Sequence, residues 1–116
     1  MAIFTSSRFF IKSLGILALM CLFCIKTYAL NVTYYINATT GNDTNNGTST
    51  DTPWATIGRA NTQNLEEGDK ILFNSDGPWH NGPLKFNAND IGTSVNPIVV
   101  DSYGTNPRAK IYGNDT

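Results

Sequence analysis

The sequence predicts an all-β fold in which short parallel strands wind into the coils of a β-helix. Three observations carry that expectation. Beyond residue 29 the chain is rich in Asn, Thr, Gly, Asp and Ser and poor in helix formers, the composition of short strands joined by many turns. Its apolar residues fall in brief runs at 71–73, 84–86, 98–100 and 111–112, each bounded by turn residues. These runs also repeat. Ile71 to Ile98 and Leu84 to Ile111 are both separations of 27 residues, and the same offset places Ser75 on Ser102 and Gly77 on Gly104. Self-similarity at periods of 20–50 residues marks solenoids and arrays. A β-sandwich of hairpins, turning at Asp76–Gly77 and Asn81–Gly82, is the competing architecture for the same runs.

In chain order, residues 1–29 read as a secretory signal peptide. Arg8 and Lys12 form a positive start, residues 14–25 (LGILALMCLFCI) are apolar, and Thr27 and Ala29 put small residues where a signal peptidase cuts. The expected cleavage leaves Leu30 as the new N-terminus. The apolar run is shorter than the roughly 20 residues a spanning helix needs, so no membrane association is expected after cleavage, and the product is secreted, extracellular or periplasmic. Both cysteines, Cys21 and Cys24, leave with the leader, so the mature chain has no disulfide. Five of the eight basic residues then remain against all nine acids, a net charge of −4. That balance excludes the basic face of a nucleic-acid binder and a simple electrostatic trap for polyanions.

Residues 30–69 are expected to form a strand, a polar loop and a short helix. Val32, Tyr34 and Ile36 alternate on one face of the strand. Residues 38–53 are a loop dense in Asn, Asp and Gly, which turn readily by bonding to their own backbone. Asp51 followed by Thr52 and Pro53 looks like a helix start, with a capping oxygen before a first-turn proline, and Trp54, Ile57 and Ala60 would share the buried face. Residues 65–69 turn into a strand at 70–73. Residues 70–116 then hold the repeated short strands, read as coils.

The residues at 34–48 (YYINATTGNDTNNGT), followed by 52–57 (TPWATI), 68–73 (GDKILF) and 96–104 (NPIVVDSYG), resemble the N-terminal region of secreted right-handed parallel β-helix proteins of the pectate-lyase-like kind, including polysaccharide lyase family nine. The resemblance spans essentially the whole mature chain. It implies a right-handed parallel β-helix, a capping segment around Trp54 and about two initial coils of a longer solenoid. It implies action on polysaccharide, with a lyase's calcium-binding carboxylates and basic catalytic residue in later coils. No catalytic residue and no cofactor site of that family matches a position here, so this segment taken alone is expected to be inactive. Two other functions share the scaffold: a non-catalytic, adhesive glycan-binding β-helix, and a glycoside hydrolase, which needs a carboxylate pair. Asp76 and Asp101 come close to equivalence in the 27-residue register and are the candidates for such a pair.

Other candidate chemistry is sparse. Residues 43–47 (DTNNG) alternate oxygen donors in the manner of a calcium loop. The twelfth position from Asp43 is Trp54, however, where an EF-hand closes with glutamate, so no metal site is expected and a hydrogen-bonded turn is. Trp79 and His80 are the candidate substrate-binding residues: an indole can stack on a sugar ring, and the single histidine can serve as a general base. Lys70, Lys85 and Arg108 could neutralise a uronate carboxylate, although solvated charges at strand edges are the expected role. The Asn-x-Thr sequons at Asn31, Asn37, Asn42, Asn46 and Asn114 arise easily in so Asn- and Thr-rich a chain and assign no function.

Overall fold

Strand β1 (Thr33–Ile36) forms where the sequence alternates, and it sends Tyr34 and Ile36 inward while Thr33 and Tyr35 face out. The structure is a computed structural model of the 116-residue chain, and it describes residues 30–76, 78–79 and 82–112. The leader with its two cysteines and cleavage point, and His80, lie outside the described residues. Beyond β1 come one short helix, α1 (Ile57–Ala60), and strands β2 (Lys70–Asn74), β3 (Pro78–Trp79), β4 (Val99–Tyr103) and β5 (Lys110–Ile111).

All the strand pairing among the described residues is parallel. β1, β2 and β4 form a three-stranded sheet in that order, and β3 pairs with β5 in a second, two-stranded sheet. Parallel neighbours need crossovers rather than hairpins, so the sandwich of hairpins is not found among the described residues. The fold is mostly strand, with a small parallel sheet at its centre. Tyr34 and Ile36 lie beside Ile71 and Phe73, which lie beside Val100 and Ser102. With Trp54, Ile57, Ala60, Leu65 and Trp79 the first four of these make the buried core.

The strand register corrects the 27-residue repeat. Ile71 is level with Val100, not Ile98, an offset of 29, and Ile111 is level with Trp79, not Leu84, an offset of 32. Between β2 and β4 the error is two residues. A shift of two preserves which side chains face inward, whereas a shift of one would invert them. The apolar runs of these two strands are therefore compatible with either partner. Residues 84–86 are not a strand either. Asn61 holds this segment in an irregular path, donating through its side-chain nitrogen to the Pro83 carbonyl (3.1 Å) and accepting from the Lys85 amide (2.8 Å). Leu84 still packs against the core, while Phe86 is exposed.

The helix begins later than Asp51–Pro53 suggested. Its N-cap is Thr56, whose hydroxyl accepts from the Arg59 amide at 3.0 Å. Pro53 and Trp54 stay extended because β1 claims the Trp54 backbone: its amide donates to the Tyr35 carbonyl (2.9 Å) and its carbonyl accepts from Asn37 (2.8 Å). Asp43 then accepts from the amides of Ala55 (2.9 Å) and Thr56 (3.0 Å) and from the Thr56 hydroxyl (2.7 Å). The Asp- and Asn-rich loop is thus a hydrogen-bonded brace. It also covers the outer edge of β1, where the Tyr35 amide donates to Gly47 (2.7 Å), and a covered edge cannot recruit a foreign strand.

Two carboxylates clamp the turns by accepting from backbone amides. Asp69, 3% exposed, accepts from the amides of Val32 (2.8 Å) and Glu66 (3.0 Å) and so ties the start of β1 to the turn before β2. Half-buried Asp90 accepts from Leu65 (2.9 Å) and Asn87 (2.6 Å), fixing the long connection before β4. In the described residues no helix is long and apolar enough to cross a membrane.

Candidate functional site

The residues after β2 build a cavity of about 540 Å³, inside the range of about 300–1,000 Å³ typical of small-ligand pockets. Its floor starts at Ser75, which is buried at the end of β2, its amide donating to the Tyr103 carbonyl at 2.8 Å. The Ser75 hydroxyl accepts from the Asn106 amide at 3.1 Å. Gly104 crosses directly over it with φ +114°, a conformation that L side chains avoid, and a Cβ there would come within 2.7 Å of the Ser75 oxygen. The turn at 104–106 is therefore seated on Ser75. From it the Asn106 side chain donates to the Asp76 carboxylate at 3.2 Å, and the Asp76 amide donates to the Asn74 side chain at 2.8 Å.

Strand β5 supplies the other wall. Side chains alternate along a strand, so Lys110 and Tyr112 line this cavity while Ile111 lines a second, smaller one of about 210 Å³ with Phe73, Val100 and Ala109. Arg108 borders both. The larger cavity thus gathers two cations, one oriented carboxylate, a hydroxyl and an aromatic ring.

The candidates named from sequence are distributed differently from expectation. Trp79 is a core residue, 2% exposed, with its indole N–H donating to the Asn74 carbonyl (3.1 Å) and its ring edge-on to Phe73 at 5.2 Å. Stacking on a sugar requires an open ring face, and its burial presents none. Its proposed companion His80 lies outside the described residues. Asp76 and Asp101 are separated: Asp76 lines the larger cavity, whereas Asp101 is exposed on the outer face of β4 and borders the smaller one. Neither cavity contains both, so the hydrolase pair is not assembled here. Lys70 and Lys85 are exposed and line neither cavity. Among the described residues no group of three or more His, Cys, Asp or Glu side chains could hold a metal ion.

Sequence reasoning assigned no site role to Ser75, Asn106 or Lys110. It also missed the outer face of the sheet, where Tyr35 and Tyr103 meet edge to face at 5.3 Å across the middle strand. The Tyr103 hydroxyl is shut off from water beside the side chains of Asn37 and Asn74, with no well-formed hydrogen bond to either. Burial chiefly pushes its pKa above the ordinary tyrosine value, against the pull of those two amides.

No protein-family model and no curated protein matches the chain. Among solved structures it is similar to the native GH136 lacto-N-biosidase of Eubacterium ramulus, at 30% identity with a TM-score of 0.57 over 63% of this chain and 11% of that one. The selenomethionine derivative of the same enzyme gives 30% identity and a TM-score of 0.58 over 64% of this chain and 12% of that one. The chain therefore spans about 11–12% of the length of these structures. They represent a glycoside hydrolase family, whereas the sequence motifs resemble pectate-lyase-like proteins.

Proposed function

We propose that this chain forms the N-terminal capping region and first coils of an exported right-handed parallel β-helix protein that acts on carbohydrate, and that the whole protein is a glycoside hydrolase. The observation that carries the reading is the structural match to a GH136 lacto-N-biosidase at 30% identity over 63% of the chain. In this reading the segment's work is architectural. Trp54 and the Asp43-braced loop close one end of the stack, and a stack needs such a cap to protect its terminal strand and core. Catalytic groups belong to the remainder of the protein, since this chain corresponds to only about a ninth of the matched enzyme.

The sequence motifs at 34–57, 68–73 and 96–104 favour a second reading, a polysaccharide lyase with calcium and its base in the later coils. One experiment separates the two. The full-length exported protein is offered neutral oligosaccharides and polyuronates, with and without calcium. Release of reducing sugar without an ultraviolet-absorbing unsaturated product supports hydrolysis. Calcium-dependent appearance of that product makes the protein a lyase. Saccharide binding with no turnover makes it an adhesive module and removes the enzymatic reading.

A further inference from the structure

We infer that the cavity between the β2 end and β5 binds a saccharide residue bearing one oxyanion substituent, a carboxylate or a sulfate ester. The inference rests on the carbohydrate reading above and deepens it by naming a ligand class for a site that the match to a lacto-N-biosidase does not assign.

Charge reverses sign in this cavity. The chain as a whole is acidic, with eight bases against nine acids, yet the cavity collects Arg108 and Lys110 against the single carboxylate of Asp76. A guanidinium fork and a mobile ammonium together suit one oxyanion. A second anionic group on the same ligand would face Asp76 and be repelled.

Asp76, moreover, is not a loose surface acid. Buried Ser75 anchors the Asn106 backbone, and the Asn106 side-chain amide in turn holds one Asp76 oxygen. The other Asp76 oxygen remains as an acceptor for a hydroxyl, and sugar hydroxyls are the donors that such an oriented carboxylate suits. Tyr112 on the β5 side and neighbouring Pro107 give the cavity an apolar side, against which the C–H face of a pyranose packs. A simple inorganic anion would use the cations alone and leave the oriented acceptor and the apolar wall idle.

The strand ladder fixes where these groups stand. Lys110 and Tyr112 enter this cavity because β5 pairs with β3 in a fixed parallel register, Lys110 beside Pro78 and Ile111 beside Trp79. The Tyr112 amide continues the ladder by donating to the Trp79 carbonyl at 2.9 Å. The cation on β5 is thereby held at a set height opposite the Asp76 turn.

The test is microcalorimetric titration of the secreted protein with methyl glucuronide, a galactoside sulfate ester, neutral methyl galactoside, and sodium acetate and sodium sulfate alone. The expected result is binding of at least one charged saccharide at least about 10-fold more tightly than the neutral one, weakening as salt is added. Arg108→Gln and Lys110→Gln should each lower the affinity for the charged saccharide about 10-fold and leave the neutral one unchanged, whereas Asp76→Ala should weaken charged and neutral saccharides alike, because the hydroxyl acceptor is lost; all three residues are exposed, and an unchanged melting temperature confirms folding. That difference in selectivity separates a binding role from a structural one. Equal affinity for the neutral sugar, binding of the free anions without either charged saccharide, or indifference to both cation substitutions overturns the inference. A protein that hydrolyses neutral glycosides yet fails this titration loses only the anion site. One that passes it but releases no sugar keeps the site and loses the hydrolase reading.

Discussion

Replacing Trp54 by alanine tests the account of the cap most directly. The side chain is completely buried. Its ring stacks on Tyr34 at 4.8 Å between centroids, 17° from parallel, and the Arg59 guanidinium sits 4.1 Å from the ring centre. Its indole N–H donates to the Asn45 carbonyl at 2.9 Å, so it fastens the polar loop as well as filling the core. Removing a large buried aromatic costs about 3–5 kcal/mol. The upper half of that range applies here, because an aromatic pair contributes about 0.5–1.5 kcal/mol beyond its area and a cation over the ring adds about 0.5–2. A small domain has roughly 5–15 kcal/mol in all, so the variant should sit near the edge of folding. Trp54→Phe keeps a ring against Tyr34 but loses the bond to Asn45, and about 1–2 kcal/mol is expected. Urea unfolding followed by far-ultraviolet circular dichroism measures both, avoiding a fluorescence signal that the substitution itself would change. If Trp54→Ala loses less than about 1 kcal/mol, the indole is not the keystone of the cap, and its reading as a buried residue rather than a sugar platform fails.

Three other outcomes come from the same geometry and a fourth from the leader sequence. Gly47→Ala should destabilise by more than about 1 kcal/mol, since Gly47 has φ +75° and an added Cβ would run into the Trp54 indole; a melting temperature equal to wild type would contradict that close approach. Asp43→Ala removes an acceptor shared by three donors and should cost about 1–2 kcal/mol by analogy with a lost N-cap, while added calcium should leave the wild-type melting temperature unchanged; a calcium-dependent rise would restore the metal-loop alternative. Burial raises the pKa of both Tyr34 and Tyr103, so the fold favours the neutral phenols, and stability should be intact below the unfolded tyrosine value of about 10 and fall as pH climbs past it through the raised folded values. The Tyr34→Phe, Tyr103→Phe double variant should flatten that alkaline loss, and an equally steep fall in the variant would refute the assignment. Expression in a secreting host should yield a product beginning at Leu30, and an intact mass that includes Cys21 and Cys24 would reject the cleavage point.

Much of the fold was legible because burial imposes simple periods on a chain. Two-residue alternation identified the inward face of β1, and Tyr34 and Ile36 are in the core; the apolar run at 71–73 supplies Ile71 and Phe73 to the same core. Trp54, Ile57 and Ala60 were expected to be buried together and are. The errors arose where tertiary pairing overrode a local signal. Pro53 is a good first-turn residue, but β1 binds the Trp54 backbone and holds it extended. Residues 84–86 have the apolar content of a strand, but the Asn61 side chain occupies the donor and acceptor that a ladder would need. Arg59 is part-exposed, and its guanidinium lies over the Trp54 ring. No local pattern announces that contact, because a guanidinium serves equally well in water or against an indole.

The site was far less legible, and the reason is register. A cavity between two strands depends on which residues of one strand stand opposite which residues of its neighbour. With an offset of 27, Asp76 would meet Tyr103, and the turn at 104–106 would fall beyond it. The true offset of 29 for β2 and β4 brings Gly104 over Ser75 and sets Asn106 against Asp76, while the offset of 32 between β3 and β5 carries Lys110 to the opposite wall. The two offsets differ because the turn after β4 is longer than the turn after β2. Apolar periodicity is blind to the first error, since a shift of two keeps every side chain of β2 and β4 on its proper face. It is equally blind to the second, because β3 and β5 are only two residues long and too short to display a period. Core residues therefore tolerate the error and cavity residues do not. The same logic explains Trp79: as an isolated aromatic beside a histidine it resembled a sugar platform, but the ladder from β3 to β5 turns its ring inward onto Phe73. The residues left facing the cavity are those on either side of that inward turn, Asp76 before it and Lys110 on the paired strand.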